Sequence, residues 1–578
     1  MSVIRHIEIA NFRSIKQLSW HPRPGLNCLI GPGDSGKSTL LDAIDLALGI
    51  RRSYPFTDAD FYRLDTISPI EISVTIGSLD DELKNIEAYG IFLRGYNPLT
   101  KEVSDEPHSG FETVITLKLV VDEDLEPNWL LFSERASADG VERRLPWKHK
   151  ELLSPIKLGT SAQQHLSWGN RSVLNKLSEE TLNVSSVLAQ LSRNTRQTFA
   201  DQQVDGVSEV LQQVRGIANN LGVPVGELQA QLDVNGISLS NGAISLHDAD
   251  NTPLRQLGTG STRLLISGLQ KAVSKSRIVL VDEAEYGLEP YRITRLLNEL
   301  GSKDREPSQQ VFITTHSPYV LRELQACQLH VLRKLPISEQ VLDKETLSHK
   351  VYSLEGSDEQ QATLRSCAES FFSKAVVVCE GKTEIGLTRG IDLYNQENGS
   401  LSIHTNGVHC ADGAGDSMFT RAKVFASLGY KTALFKDSDK ATQHVPMTDD
   451  AESFGISVFE WGSGRATEDA LFTACPASLI QQLLAIAIDR KGEEAVDAHI
   501  QAHSNNELTL DVCRNNFQDS YRPILAKAAN KKGWYKDISP AERVGQEIVG
   551  PNYSQHSEAL THTVTALFQW ALKRGINQ

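Results

Sequence analysis

The stretch from residue 31 to residue 39 decides the fold of the first half of this chain. It reads Gly31-Pro32-Gly33-Asp34-Ser35-Gly36-Lys37-Ser38-Thr39 and fits G-x-x-x-x-G-K-[ST], the pattern of a phosphate-binding loop. The apolar run at 26–30 predicts a buried strand before it, and Leu40, Ile44 and Leu48, at i, i+4 and i+8, predict a helix after it. The order of strand, glycine loop and helix is the context that such a loop needs.

The residue types of this loop suit a nucleoside triphosphate. Backbone N–H groups and the positive end of the helix dipole hold phosphate oxygens. We expect Lys37 to reach the β- and γ-phosphates and the Ser38 hydroxyl to bind Mg²⁺. The predicted ATP contacts from this loop are Gly31, Gly33, Asp34, Ser35, Gly36, Lys37, Ser38 and Thr39.

The amino-acid composition limits the classes of protein to which the chain can belong. The 578 residues suffice for two to four domains, and the net charge of −15 with a pI of about 5.6 argues against a uniformly basic nucleic-acid coat, though not against local basic grooves. The seven cysteines include no C-x-x-C, so we expect neither a zinc site nor a disulfide framework, and a reducing cytoplasm fits best. No apolar run approaches the roughly 18 residues that span a bilayer, so we expect no membrane partner.

Three later motifs predict the rest of an ATP site. Residues 257–263 read LGTGSTR, in which Gly258 and Gly260 precede an apolar helix. A buried strand then ends in Asp282 and Glu283, which we expect to hold Mg²⁺ through water and to orient or deprotonate the attacking water. A further buried strand ends at His316, where a γ-phosphate sensor is expected.

These motifs together resemble the split ABC-type ATPase head of the SMC/RecF class. They are NFRS, GPGDSGKST, LGTGSTR, VLVDEAEYGLEP and ITTHSP, in that order. The resemblance implies that two heads sandwich ATP, each phosphate-binding loop facing the other subunit's signature loop. LGTGSTR departs from the transporter form LSGGQ, and no Q-loop glutamine is recognisable, so the sequence supports ATP binding more directly than ATP turnover.

The second half carries acids at predicted strand ends. An apolar strand at 375–379 ends in Glu380, and a helix beginning after Gly381 would keep Glu384 nearby. The strand at 431–436 ends in D-x-D, and alternation would place Asp437 and Asp439 on one side of an extended backbone. Clusters of carboxylate oxygens suit Mg²⁺ or Mn²⁺, whereas zinc favours histidine and cysteine.

E-G-x-[TS]-E followed by a strand-terminal D-x-D resembles a Toprim domain. An ABC-type head with a short arm and a C-terminal Toprim domain resembles the OLD (overcoming lysogenization defect) nucleases, a group that includes the Gabija defence nuclease subunit. The resemblance implies a transition-state lysine, which we place at Lys532 with Lys536 as the alternative. It also implies a set of metal ligands, Glu380, Glu384, Asp437, Asp439, Glu468 and the neighbouring Asp469, beside Ser38 in the ATP site.

We predict an α/β chain in which an ABC/SMC-like ATPase precedes a Rossmann-like Toprim domain. The predicted ATPase has an N-terminal lobe at 1–170, a helical arm or dimerisation insert at 171–235 and a C-terminal lobe at 236–335. Within the N-terminal lobe we expect edge strands of the loop-bearing sheet at 3–20 and a β-rich insert at 51–150. A linker at 336–370, a Toprim nuclease domain at 371–540 and a helical tail at 541–578 follow.

The predicted function is a nucleotide-regulated, two-metal DNA endonuclease of anti-phage defence. Its catalytic residues would be Glu380, Asp437, Asp439, Lys532 and, for ATP, Glu283. Expected partners are double-stranded DNA, further copies of the chain in a dimer or tetramer, and a helicase-like protein.

The main alternative is an ATP-dependent DNA clamp or signalling ATPase with a non-catalytic Toprim-like domain. A topoisomerase or primase is disfavoured because the chain has no C-x-x-C and no spare length for a tyrosine-bearing cleavage domain. A transporter ATPase is disfavoured by the fused Toprim domain.

Overall fold

The computed structural model describes residues 2–158, 253–273, 276–335 and 348–576, with four isolated positions between 190 and 212. The predicted helical arm at 171–235 lies outside these continuous ranges. Within them the predicted α/β architecture is confirmed. Among the described helices, none combines the length and apolar character needed to cross a bilayer.

The elements alternate between long β-rich and helix-rich segments along the chain. The strands are β1 (Val3–Phe12), β2 (Ile15–Trp20), β3 (Leu26–Ile30), β4 (Ile70–Gly77), β5 (Leu93–Tyr96), β6 (Val103–Ser104), β7 (Glu112–Val121), β8 (Pro127–Phe132), β9 (Ile156–Leu158), β10 (Ile278–Val281), β11 (Gln310–Thr314), β12 (Leu329–Lys334), β13 (His349–Ser353), β14 (Ala375–Cys379), β15 (Val408–Asp412), β16 (Lys431–Lys436) and β17 (Ser457–Glu460). The helices are α1 (Lys37–Leu48), α2 (Ile86–Tyr89), α3 (Glu134–Ala138), α4 (Trp147–Leu153), α5 (Thr259–Val273), α6 (Pro290–Glu299), α7 (Pro318–Glu323), α8 (Asp358–Ser366), α9 (Lys382–Glu397), α10 (Ser417–Ser427), α11 (Ala441–Ser453), α12 (Thr467–Ala474), α13 (Ala477–Lys491), α14 (Glu493–His503), α15 (Leu510–Asn515), α16 (Arg522–Lys532), α17 (Ile538–Arg543) and α18 (Glu558–Ile576).

The described strands form three sheets. The first is antiparallel, in the order β2-β1-β4-β7-β5-β6 with β8 also paired to β7. The second has the order β13-β12-β3-β11-β10-β9 and is parallel except for its edge strand β13. The third is parallel, in the order β15-β14-β16-β17.

The strands at residues 3–20 do not lie in the sheet that bears the phosphate-binding loop, so that part of the sequence prediction is wrong. β1 and β2 pair with each other and β1 pairs with β4, which places both in the antiparallel sheet. The loop follows β3, which lies between β11 and β12 in the parallel sheet. Alternation predicts a strand with one buried face, but it does not identify the partner strand.

Helix α1 fills the space between the first two sheets. Leu40 and Ile44 of this helix belong to one core with Leu280 and Phe312 from the parallel sheet and with Ile72 from the antiparallel sheet. The alternate residues of the parallel strands face the opposite way, into a second core. The loop before α1 is thus held between two packed layers, and Gly36 supplies the left-handed backbone (φ 90°) at the start of the helix.

The third sheet is covered on both faces, as expected of parallel strands. Val377 and Phe435 point into a core with the C-terminal helices. Val376 and Leu434 point the other way, into the core that also contains Val281 of the loop-bearing sheet. The two halves of the chain therefore share a continuous core.

Candidate nucleotide and metal sites

The phosphate-binding loop is closed over its own lysine. Lys37 is buried, and its ammonium donates to the carbonyls of Gly31 and Pro32, each over 3.1 Å, and to Ser35 Oγ over 3.4 Å. Burial lowers the pKa of Lys37, while the charges of Asp282 and Asp34 oppose that shift. A bound phosphate would offer the ammonium a stronger, charged acceptor than these carbonyls.

Asp282 lies beside the loop, as the sequence predicts for an Mg²⁺ site. Ser38 Oγ donates to Asp282 Oδ1 over 3.3 Å, and Thr314 Oγ1 donates to the same oxygen over 2.5 Å. Glu283, the next residue, has an exposed side chain and a left-handed backbone (φ 48°), with its N–H donating to Thr314 Oγ1 over 2.8 Å. Thr314, at the end of the neighbouring strand, thus holds the carboxylate of Asp282 and the backbone of Glu283, a role that the sequence did not predict.

The signature loop packs against the segment that follows these acids. The buried guanidinium of Arg263 donates to the carbonyls of Asp282, Glu283 and Tyr286 over 2.6, 2.8 and 3.1 Å. Burial lowers the pKa of Arg263. At Gly260 any Cβ would lie 2.5 Å from the carbonyl oxygen of Gly287, so only glycine allows this approach. Gly258 is exposed.

His316 connects the ATPase end of the chain to the second half. Glu285 accepts from Thr315 Oγ1 over 2.6 Å and from the His316 N–H over 2.7 Å, and so ties this turn to the Asp282 loop. The His316 ring lies 6.4 Å from the ring of Phe372, centroid to centroid. Phe372 ends a 3₁₀ turn (Ala368–Phe372) shortly before β14.

The first acids of the second half meet at the carboxyl edge of the third sheet. β14 and β16 are neighbours in register, with Cys379 opposite Phe435, so Glu380 and Asp437 leave adjacent strands at the same edge. The Asp437 N–H donates to Glu380 Oε2 over 3.0 Å. Helix α9 begins after Gly381, as predicted, and the Gly381 N–H donates to Glu384 Oε2 over 2.8 Å.

Glu384 and Asp437 share one hydroxyl. Thr467 Oγ1 lies 2.6 Å from Glu384 Oε1 and 2.9 Å from Asp437 Oδ1. Burial raises the pKa of Glu384. Burial also raises the pKa of Asp437, to about 9, and the charges of Glu384, Glu380 and Glu468 add to that shift. Without a cation, this group of acids therefore resists full ionisation.

Glu468 adds a further buried carboxyl. It is 2% exposed, and its Oε1 has no hydrogen-bond partner among the described residues. Burial raises the pKa of Glu468 to about 7, with the Glu384 charge adding to the shift and the Lys536 ammonium opposing it. An orphaned buried carboxylate oxygen is costly, so native proteins rarely keep one without an ion or ligand to satisfy it.

Two sequence profiles match the chain in the parts just described. The profile of "AAA domain, putative AbiEii toxin, Type IV TA system" matches residues 26–322, just over half of the chain. That of "Overcoming lysogenization defect protein-like, TOPRIM domain" matches residues 371–439, which include Glu380, Glu384, Asp437 and Asp439. The chain belongs to this AAA family and carries an OLD-like TOPRIM domain. The matched profiles do not distinguish a Gabija subunit from other OLD-like chains.

Curated relatives match the chain over a short segment. The DNA replication and repair protein RecF of Nitrosococcus oceani is 46% identical over 54 residues, which cover 9% of this chain and 15% of the relative. RecF of Moorella thermoacetica is 45% identical over 51 residues, covering 9% and 14%. The chain therefore spans only about a seventh of the length of these relatives.

Solved SMC heads resemble the chain at low similarity. The Smc head bound to the C-winged helix domain of ScpA is 14% identical with a TM-score of 0.33, covering 61% of this chain and 98% of that one. The SMC head domain from Thermotoga maritima is 13% identical with a TM-score of 0.29, covering 61% and 99%.

The remaining predicted acids of the TOPRIM domain have different surroundings. Asp439 is exposed, and its charge acts on the neighbouring Lys440, as does that of Glu380. Asp469 accepts from the Ala466 N–H over 3.1 Å and so caps α12. The structure therefore places Glu380, Glu384, Asp437 and Glu468 together, with Asp439 at the rim and Asp469 engaged as a helix cap.

The two lysine alternatives separate clearly. Lys536 lies within electrostatic reach of Glu468, because its charge lowers the pKa of that carboxyl. Lys532, at the end of α16, is exposed like Lys536, and its charge lowers the pKa of His499. The charge of Lys536, the alternative in the sequence prediction, thus acts on one of the buried acids, and the choice between Lys532 and Lys536 stays a prediction. Both lysines belong to one short cluster, which the turn at Gly533 divides.

The donor set of the TOPRIM site fits a divalent cation in its chemistry. The acids offer hard oxygen ligands, and within the described part of the chain no group hydrogen-bonds to Glu468 Oε1. Across the described ranges, however, no three histidine, cysteine, aspartate or glutamate side chains converge into a ready-made cage. The acids would therefore have to move closer together to hold one ion.

Proposed function

We propose that the chain is a nucleotide-controlled, divalent-metal-dependent DNA endonuclease whose chemistry takes place in the TOPRIM domain. The observation that carries this is the buried, unpartnered Glu468 oxygen beside Glu384, Asp437 and Glu380. Several carboxyls at one sheet edge stay partly protonated unless a cation balances their charge, so a bound cation is what would let all of them ionise.

The residues of this site would have different roles in cleavage. Bound Mg²⁺ or Mn²⁺ would polarise the scissile phosphate and lower the pKa of the attacking water. Glu380, Glu384, Asp437 and Glu468 would hold the ions, with Asp439 completing the set from the rim. Lys536 would offset the negative charge that develops on the phosphate.

Nucleotide would control cleavage through the contacts between the two halves. Helix α7 follows His316, and Arg322 of that helix pairs with Glu369 in the turn that leads into β14. A change at the His316 turn on ATP binding would be transmitted to the strand that ends in Glu380. Arg333 adds a second contact, donating to the carbonyl of Lys374 over 2.8 Å.

The partners that follow from this function are double-stranded DNA, a second copy of the chain and a helicase-like protein. A split ATP site needs two heads, so an active assembly would be a dimer or a tetramer. Defence against phage is the biological role that best suits a nuclease coupled to an ATPase of this family.

The test is cleavage of a supercoiled plasmid in Mg²⁺ or Mn²⁺. Glu380→Ala and Asp437→Ala should each slow nicking by about 100-fold or more, and chelation should abolish it. Asp449→Ala, which removes an exposed carboxylate on α11, is the matched control and should nick like wild type. Equal nicking by all variants would refute the assignment.

One observation favours a second candidate, an ATP-dependent DNA clamp or signalling ATPase. The absence of a convergent three-residue cage in the described residues suits a TOPRIM-like domain that binds without cutting. Tight DNA binding without metal-dependent nicking would favour this candidate.

A further inference from the structure

Thr467 lies at the centre of the acid cluster without being an acid. It is 0% exposed and begins α12. Its hydroxyl lies 2.6 Å from Glu384 Oε1 and 2.9 Å from Asp437 Oδ1, and its N–H donates to Asp437 Oδ1 over 2.9 Å. Two acids from different elements therefore converge on one side chain.

Thr467 Oγ1 has three close hydrogen-bonding neighbours but only one proton to donate. Trp461 Nε1 donates to Thr467 Oγ1 over 2.7 Å, so one lone pair of the hydroxyl oxygen is used. The single hydroxyl proton can serve Glu384 or Asp437, but not both at once. The other short oxygen–oxygen contact needs a proton on a carboxyl group, and a cation between the two carboxylates would replace that proton.

Thr467 is itself held rigidly. The Trp461 ring is 1% exposed and packs edge-on against Phe435, with ring centroids 5.2 Å apart. Phe435 is the strand residue two positions before Asp437, so the donor to Thr467 rests on the same strand that presents the acid. The hydroxyl position is therefore set by packed core and not by a mobile loop.

We propose that Thr467 is a positioning residue that holds the Glu384 and Asp437 carboxylates together as ligands for one divalent cation. This inference rests on the proposed function, because it concerns the same metal site. Without the hydroxyl, Glu384 would keep its contacts to the backbone at Gly381 and at Glu384 itself, and its Oε1 could turn away from Asp437.

The test is direct Mn²⁺ binding to the full chain, measured by calorimetry and by the free Mn²⁺ signal in electron paramagnetic resonance. Thr467→Val keeps the side-chain shape and removes the hydroxyl, and it should weaken Mn²⁺ binding by about 10- to 100-fold, as the loss of outer partners of metal ligands does. Thr467→Ser keeps the hydroxyl and should restore binding to near the wild-type level.

The matched control is Thr432→Val, at a buried threonine of β16 whose hydroxyl donates to the Tyr430 carbonyl and not to an acid. It should bind Mn²⁺ like wild type. Trp461→Phe tests the same idea without altering Thr467, and it should weaken binding less than Thr467→Val does. Thermal unfolding in chelator checks that each variant is folded.

The possible outcomes distinguish the role of Thr467 from the existence of the metal site. Equal or tighter Mn²⁺ binding by folded Thr467→Val overturns the role of Thr467 and leaves the metal site standing. If Thr467→Val does not fold, undiminished binding by folded Trp461→Phe overturns that role instead. Wild-type protein that binds no Mn²⁺ overturns both the inference and the proposed function.

Discussion

The backbone N–H of Asp437 donates to Glu380 Oε2 over 3.0 Å, which ties the first acid of the TOPRIM site to the neighbouring strand. Because the donor is backbone, Glu380 stays in place whatever the side chain at 437. The two acids can therefore be tested separately, and loss of activity in an Asp437 variant reports on that carboxylate rather than on a displaced Glu380.

Lys536 and Lys532 offer the sharpest test of which lysine serves the site. Lys536→Ala should slow DNA cleavage by about 100-fold, the scale seen when one group that stabilises transition-state charge is removed. Lys532→Ala should stay within a few-fold of wild type, because the charge of Lys532 acts on His499. Rates of plasmid nicking at saturating Mn²⁺ check both. A larger loss in Lys532→Ala would reverse the assignment.

Phe372 should couple nucleotide to cleavage. Phe372→Ala removes the ring beside His316, so the effect of ATP on nicking should shrink toward none while nicking without nucleotide persists. The measurement is the ratio of nicking rates with and without ATP. Phe454→Ala, at an exposed ring in the TOPRIM domain, is the control and should keep the wild-type ratio.

Lys37→Ala provides the comparison for this coupling. It should also remove the effect of ATP, but by preventing tight phosphate binding, so nucleotide affinity should fall in Lys37→Ala and stay normal in Phe372→Ala. An ATP effect that survives in Phe372→Ala would show that control takes another route, such as the contact from Arg333 to Lys374.

His330 should make the chain less stable in acid. Burial lowers the pKa of this histidine to about 3, below its ordinary value of 6.5. As the pH falls below 6.5 the unfolded chain takes up a proton that the folded chain refuses, so stability is full above pH 6.5 and declines toward pH 3. One such proton contributes about 1.4 kcal/mol per pH unit to the free energy of unfolding.

The check is the urea midpoint between pH 6.5 and pH 4. His330→Asn removes the titrating group and should make the pH dependence shallower by one proton. His562→Asn, at an exposed position, is the matched control. An unchanged slope in His330→Asn would contradict the burial argument.

The sequence alone predicts the features that depend on residues close to one another in the chain. The loop at 31–39 between β3 and α1, and the helix that starts after Gly381, follow from short-range patterns of apolar residues and glycine. The strand-terminal positions of Glu380 and Asp437 follow from the rule that apolar runs of parallel sheets end at a common edge.

Features that depend on contacts between segments far apart in the sequence could not be predicted from the sequence. Nothing in the alternation at 3–20 distinguishes β4 from β3 as the neighbour of β1, so the sheet assignment failed. The sequence did not predict a role for Thr467, because a threonine before an acid is common. Its contacts form only where α12 meets β16 and α9 in the fold. The turn after Lys532, with Gly533 in a left-handed conformation, separates the two candidate lysines.

The most direct test of the account examines the ends left by cleavage. Two-metal hydrolysis at the TOPRIM acids should leave a 3′-hydroxyl and a 5′-phosphate, so DNA ligase should reseal the nicked plasmid. We predict ligatable nicks from wild type with Mn²⁺, none in chelator, and at least about 100-fold fewer from Glu468→Gln, which keeps the shape of the unpartnered acid and removes its charge. Nicks that form in chelator, that ligase cannot seal, or that Glu468→Gln produces at the wild-type rate would contradict it.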